Sequence, residues 1–112
     1  MLDLLEYTRK IAEFTREGRT AFFADEKTQL AVIRAYEVIG EIAKRLPDGL
    51  LQQQPHIEWK QIKGFRDFLA HNYETMILNI VWDAAEKLGE LQRAGQRILD
   101  TLPQDDTEDT AE

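Results

Sequence analysis

No cysteine occurs in this chain, so neither a disulfide nor a thiolate metal site can contribute to its stability or its chemistry. Histidine is nearly as scarce: the only two, His56 and His71, stand fifteen residues apart without a metal-ligand spacing, and no metal or other cofactor is expected. No stretch approaches the ~20 consecutive apolar residues of a membrane span. The N-terminus, Met1-Leu2-Asp3-Leu4-Leu5-Glu6, is acidic and lacks an apolar run; a signal peptide is not expected, and the expected location is the cytoplasm. No segment alternates apolar and polar residues as a half-buried strand would, and no internal repeat is visible. What remains is 112 residues, enough for a single small core.

The net charge is −7, a sign that speaks against nucleic-acid binding until it is divided along the chain. After Pro103 come Asp105, Asp106, Glu108, Asp109 and Glu112 with no basic residue, which leaves −2 for residues 1–103. The sequence therefore predicts a folded domain over 1–102 and an acidic, disordered tail over 103–112. Between Lys44 and Arg66 the balance reverses: Lys44, Arg45, Lys60, Lys63 and Arg66 face only Asp48 and Glu58, for +3.

Helical periodicity dominates the rest. Leu4, Tyr7, Ile11 and Phe14 follow an Asp3-x-x-Glu6 capping box and predict a first helix ending near Gly18. Asp25 is placed to cap a second helix, whose stripe of Leu30, Val32, Ile33, Ala35, Ile39, Ile42 and Leu46 is wide enough for the centre of a bundle and stops at Pro47-Asp48-Gly49. Gly40 within it costs about 1 kcal/mol of helix propensity relative to alanine, a cost that makes sense where another backbone packs close. A Gln-rich loop closed by Pro55 leads to a third helix with Trp59, Ile62, Phe65 and Leu69, which carries Arg66. A last helix spans about Thr75 to Asp100, with Ile77, Ile80, Val81, Ala84, Leu88, Leu91 and Ile98 as its stripe and Pro103 beyond it. The predicted architecture is all-α: an up-and-down bundle of four to five helices.

Chemistry concentrates in Arg66-Asp67-Phe68-Leu69-Ala70-His71-Asn72-Tyr73. An arginine can fork onto a phosphate, and a histidine with an ordinary pKa of ~6.5 can take and give protons at neutral pH; RNA cleavage needs both. At 100° per residue, Arg66 and Tyr73 lie ~20° apart around an unbroken helix, whereas Arg66 and His71 differ by ~140°. Bringing His71 to the phosphate held by Arg66 requires either a helix that ends or bends near Ala70 or a second copy of the chain across a two-fold axis; the composite dimer site is the preferred arrangement. The same residues also admit an ordinary reading in which Arg66 pairs with a carboxylate, His71 caps the third helix and Tyr73 packs with its hydroxyl at the surface. Three fixed positions alone do not separate the two.

The order and spacing of longer segments do. Ala31-Val32-Ile33-Arg34 leading to Val38-Ile39-Gly40-Glu41-Ile42-Ala43-Lys44-Arg45-Leu46, then Ile57-Glu58-Trp59-Lys60-Gln61-Ile62-Lys63-Gly64-Phe65, the complete R-x4-H-x-Y motif, and Ile80-Val81-Trp82 resemble the HEPN superfamily (higher eukaryotes and prokaryotes nucleotide-binding domain). Within it the chain is similar to HepT-like ribonuclease toxins paired with minimal nucleotidyltransferase antitoxins. The resemblance runs from about Leu2 to Leu99 and leaves out only the acidic tail.

That resemblance implies a metal-independent endoribonuclease, a homodimer of helical bundles whose two motifs meet in a cleft. His71 would be the general base or acid for attack of the ribose 2′-hydroxyl on the adjacent phosphorus. Arg66 would stabilise charge on the phosphate oxygens, with Asp67 and Asn72 as supporting polar groups. RNA is the implied substrate, and DNA, which lacks the 2′-hydroxyl, is not. Tyr73 is implied as the residue that a nucleotidyltransferase antitoxin modifies with AMP, which would place negative charge beside Arg66. Two other classes remain open: a non-catalytic HEPN-type bundle that binds nucleotide or presents substrate to a nucleotidyltransferase, and a helical interaction module without a site. Elsewhere, Trp59 and Trp82 sit at core spacing, and His56 is read as a solvated loop residue. Lys60 and Lys63 could track an RNA backbone or form a solvated face, and Glu41 could pair with Arg66 or simply be exposed.

Overall fold

The structure is a computed structural model that describes residues 1–71 and 74–102. Asn72, Tyr73 and the acidic tail from residue 103 lie outside the described residues. Eight helical segments and no strand occur among the described residues: α1 (Leu2–Phe14), α2 (Arg19–Ala24), α3 (Glu26–Arg45), α4 (Asp48–Leu51), α5 (Trp59–Lys63), α6 (Phe65–Ala70), α7 (Glu74–Glu86) and α8 (Leu88–Asp100). The expected all-α bundle is what forms. Its long members are α1, α3, α7 and α8, and α5 with α6 makes the fifth.

The twenty-residue α3 is the central element, packed against α1, α2, α5, α6 and α7. Asp25 caps it as the sequence suggests. The Asp25 side chain accepts from the Lys27 backbone N–H at 3.2 Å and from the Thr28 hydroxyl at 2.7 Å, which satisfies donors left open by the first helical turn. Val32, Ala35, Tyr36, Ile39, Ile42 and Ala43 are buried along its inner face. They join Leu4, Ile11, Phe22, Trp59, Val81, Trp82 and Ile98 in one core. Trp59 and Trp82 are therefore packing residues. Trp59 donates from Nε1 to the Gln54 carbonyl at 3.1 Å, and the Trp82 ring lies 5.4 Å from that of Phe22.

Several local expectations are corrected. The capping box at Asp3 does not form: Met1 is the N-cap of α1 and Asp3 already lies within the first turn, where its carboxylate accepts from Leu4 N at 3.0 Å. The first helix stops at Phe14 rather than near Gly18, with the Thr15 hydroxyl donating to the Ile11 carbonyl at 2.8 Å. Gly18, at φ 96°, then turns the chain into α2, a conformation that glycine adopts without steric penalty. The sequence reading had no counterpart for α2. Its anchors are the buried Phe22 and the buried Gln29 of α3, whose amide donates to the Phe22 and Phe23 carbonyls at 3.0 and 3.2 Å. The predicted third helix is divided at Gly64, a poor helix former, and the predicted last helix is divided at Lys87. That second break changes the packing partner, from α2 and α3 for α7 to α1 for α8. Phe14, Leu30 and Ile80, all assigned to buried stripes, are exposed.

Gly40 meets the condition that its cost suggested. A Cβ at this position would lie 2.6 Å from the Ile62 carbonyl oxygen, so α3 and α5 touch backbone to backbone there. The contact fixes where α5 sits on the bundle, and α6 follows directly after it.

Candidate active site

The half-buried Phe65, Phe68 and Leu69 hold α6 to the bundle while Arg66, Asp67 and Ala70 face outward. Phe65 and Phe68 stack on each other at 6.0 Å, and Phe65 meets the Tyr36 ring of α3 edge-on at 6.1 Å. These ring contacts seat a helix of only six residues, which is too short to be stable by itself.

Arg66 leaves this helix 63% exposed and reaches back to α3, where its Nη1 lies 3.4 Å from Glu41 Oε2. The same carboxylate oxygen is 3.7 Å from the Lys44 ammonium. A pair this exposed contributes on the order of 1 kcal/mol or less to stability, so its consequence lies in where it directs the guanidinium.

α6 ends at Ala70, and His71 is its C-cap at φ −121°, ψ 14°, outside helical geometry. The helix that would carry the chain on from Arg66 at 100° per residue therefore ends at this residue. Its Nδ1 lies 2.8 Å from the main-chain oxygen of Asp67. A carbonyl oxygen can only accept, so Nδ1 is the protonated nitrogen of the neutral ring and Nε2 carries the lone pair. The exposed imidazole thus presents a basic nitrogen to solvent, held in one tautomer by a backbone contact as catalytic histidines require. Both ordinary contacts weighed from the sequence, a carboxylate on Arg66 and a helix-capping His71, are present, and neither uses up the group: among the described residues one edge of the guanidinium and one nitrogen of the ring remain.

The other candidates separate. Asp67 is exposed on α6 and contributes its carbonyl to His71. Lys63 is tied to Asp48 at 3.2 Å and fastens α4 to α5. Lys60 is exposed, and His56 is exposed in its loop. Asn72 and Tyr73, the supporting amide and the proposed modification site, lie outside the described residues. No cluster of three or more His, Asp or Glu that could hold a metal occurs among the described residues, and no described helix is long and apolar enough to cross a membrane.

One feature beside the motif was not anticipated. A groove of about 710 Å³ runs between α5–α6 and α7, lined by Tyr36, Lys60, Phe65, Phe68, Ile80 and Val81. Ile80 is 41% exposed at its wall, and Met76, one turn earlier on α7, is 46% exposed. The Tyr36 hydroxyl is buried without a hydrogen-bond partner among the described residues, and burial pushes its phenol well above the ordinary value. Val32, Tyr36 and Ile39 share helical spacing, the signal by which Tyr36 can be placed in the stripe.

Comparison with known proteins gives these features a context. Over 84 residues the chain is 40% identical to a Methanocaldococcus jannaschii protein named by inference as an RNase, covering 74% of this chain and 69% of that one. It is 38% identical over 86 residues to a probable ribonuclease HepT of Thermococcus cleftensis, covering 76% and 78%. Against another Methanocaldococcus jannaschii protein named by inference as an RNase, identity is 34% over 104 residues, 91% and 90% of the two chains. No solved structure matches. Family comparison matches residues 4–98, from the first turns of α1 almost to the end of α8. Since that span takes in nearly the whole helical bundle together with the Arg66–His71 segment, the chain belongs to the ribonuclease HepT-like family.

Proposed function

We propose that this chain is the ribonuclease toxin of a toxin–antitoxin pair, a metal-independent endoribonuclease that works as a homodimer. Membership of a ribonuclease family and the RNase names of its relatives support the class of activity. The observation that carries the mechanism is the 2.8 Å contact between His71 Nδ1 and the Asp67 carbonyl oxygen, which in the neutral ring puts the proton on Nδ1 and leaves Nε2 as the base.

In the proposed reaction Nε2 of His71 takes the proton of a ribose 2′-hydroxyl, and the 2′-oxygen attacks the adjacent phosphorus. The bond to the 5′-oxygen breaks and that oxygen leaves with a proton from the imidazolium form of the second protomer's His71, giving a 2′,3′-cyclic phosphate and a 5′-hydroxyl. The nucleophile is part of the substrate, so the step gains from proximity without a metal to generate hydroxide. Arg66 neutralises charge that accumulates on the non-bridging oxygens. DNA, without the 2′-hydroxyl, is not cut.

The second protomer enters because one acid–base residue cannot sit on both sides of the phosphorus at once. Two copies related by a two-fold axis bring two His71 side chains to one cleft. Exposed Met76 and Ile80, next to an apolar groove that borders α6, make this face the proposed dimer contact. A nucleotidyltransferase antitoxin would silence the site by transferring AMP to the hydroxyl of Tyr73, setting phosphate charge against incoming RNA.

The test is incubation of the phosphatase-free protein with mixed cellular RNA and with DNA in excess EDTA, beside His71→Ala. Cleavage of RNA alone, absent from the variant and leaving cyclic phosphate ends, is the expected result. No cleavage by a protein whose Tyr73 is unmodified by mass spectrometry would shift the reading to a non-catalytic, nucleotide-binding or substrate-presenting partner of a nucleotidyltransferase. For Tyr73, neutralisation by AMP transfer is expected to be lost in Tyr73→Phe.

A further inference from the structure

We propose that Glu41 is a positioning residue for Arg66, holding one edge of the guanidinium so that the other meets the scissile phosphate. This rests on the ribonuclease reading above. Arg66 and Glu41 stand twenty-five residues apart on different helices, yet Nη1 and Oε2 are 3.4 Å apart. Their meeting is built by the residue before Glu41. At Gly40 the α3 backbone lies so near the Ile62 carbonyl that a Cβ would stand 2.6 Å from it, and Arg66 follows four residues after Ile62, just across the break at Gly64. The close approach that only glycine permits thus brings the next side chain of α3 within reach of α6.

The carboxylate is itself steadied from its own helix, since Lys44, one turn on, lies 3.7 Å from the same oxygen. Arg66 is mostly exposed and would otherwise spread over many rotamers. With Nη1 engaged by Glu41, the Nε–Nη2 edge is the two-donor fork left to match two phosphate oxygens. A carboxylate here also repels RNA, so the contact has opposite effects on the two kinetic constants. It raises kcat by orienting the cation and raises KM by opposing the substrate charge. General damage to the fold would not produce that combination.

The experiment compares wild type, Glu41→Ala, Glu41→Gln and the control Glu37→Gln on a short RNA, in EDTA, with kcat and KM measured separately. Glu37 lies one turn earlier on α3 and pairs with Arg34 at 3.4 Å; its variant makes the same charge change away from Arg66. For Glu41→Ala kcat is expected to fall about tenfold, within the range that misplacing a catalytic group produces, with KM unchanged or lower. Glu41→Gln, which keeps an acceptor for Nη1, is expected to lie between it and wild type, and Glu37→Gln to match wild type. A kcat for Glu41→Ala equal to or above wild type, or an equal loss in Glu37→Gln, overturns the proposal. A second readout does not depend on cleavage: the Arg66 Nε–Hε resonance, assigned with Arg66→Lys, is expected to show an ordered ¹⁵N heteronuclear NOE that collapses in Glu41→Ala. An Arg66 side chain equally mobile in both proteins refutes the positioning. If wild type cuts no RNA, the ribonuclease reading fails while the NMR comparison still decides the contact.

Discussion

Replacing Gly40 with alanine sets two quantities of opposite sign against each other. In a helix interior the change gains about 1 kcal/mol of propensity, and if α3 had open space at that point the protein would melt higher. The structure gives the other sign. The new Cβ would stand 2.6 Å from the Ile62 carbonyl oxygen and needs at least the 3.4 Å of ordinary contact, so α5 must move away from α3 by about 0.8 Å. The obstacle is backbone and cannot rotate aside. Overpacking of this kind costs about 1–3 kcal/mol, and with the propensity gain of about 1 kcal/mol subtracted, Gly40→Ala is expected to destabilise by up to about 2 kcal/mol. For a domain of this size that is a fall in Tm of up to roughly 10 °C by thermal scanning. Activity is expected to fall further than stability: well below the melt the protein is almost entirely folded, but α5 carries α6 and Arg66 with it, and a displacement near 1 Å in a reacting group can cost up to about 10²-fold. Gly95→Ala on α8 is the matched control. Its Cβ would meet side chains rather than backbone, with a Leu5 methyl at 2.9 Å and Leu5 Cγ and a Leu4 methyl at the ordinary contact distances of 3.5 and 3.6 Å; the Leu5 tip can rotate, so its Tm is expected to hold or rise. A Gly40→Ala protein that melts higher than wild type would show that α3 and α5 are not in backbone contact.

Three further outcomes follow from the same structure. Tyr36→Phe removes a buried hydroxyl that has no partner among the described residues and is expected to raise stability by about 1 kcal/mol. Because burial raises the phenol's pKa in the folded state, its ionisation costs the fold nothing below the ordinary tyrosine value of ~10 and destabilises it increasingly as pH rises from there toward the folded value; the Phe variant is expected to be less sensitive to alkali, and a lower Tm would mean the hydroxyl is paired. For Asp25, the hydrogen bond from Thr28 and those from the first-turn N–H groups hold the carboxyl below its ordinary value, so its contribution is present above pH ~4 and is lost as pH falls through the folded value. Asp25→Ala is expected to lower Tm at pH 7, with the gap to wild type closing in acid, whereas Asp25→Asn retains most of the cap; a gap constant with pH would refute the charged cap. On the proposed dimer face, Ile80→Glu puts a charge on a side chain already 41% exposed. It is expected to leave the monomer's Tm nearly unchanged while abolishing self-association in analytical ultracentrifugation, and an undisturbed dimer would move the contact elsewhere.

The sequence by itself determined the helical class, the central place of α3, the Asp25 cap, the close approach at Gly40, and the segment from Arg66 to Tyr73 as the place to look for chemistry. Each of these is local: a 3.6-residue period, a capping side chain or a missing Cβ is written in a few consecutive positions. Tertiary structure decided the rest. Periodicity reports that a face is apolar but not what covers it, so it could not distinguish the buried Val81 from the exposed Ile80 beside it, nor foresee that Leu30 stays in solvent. It also could not divide the last helix at Lys87, which is no helix breaker itself and where the packing partner switches from α2 and α3 to α1. In the site, spacing posed the choice of an interrupted helix or a second chain for His71; the folded chain ends α6 at Ala70 and commits Nδ1 to the Asp67 carbonyl. Glu41 was legible only as a polar residue that could reach Arg66. Which of its alternatives held depended on the approach of two helices across twenty-five residues of sequence, and no local signal encodes that geometry.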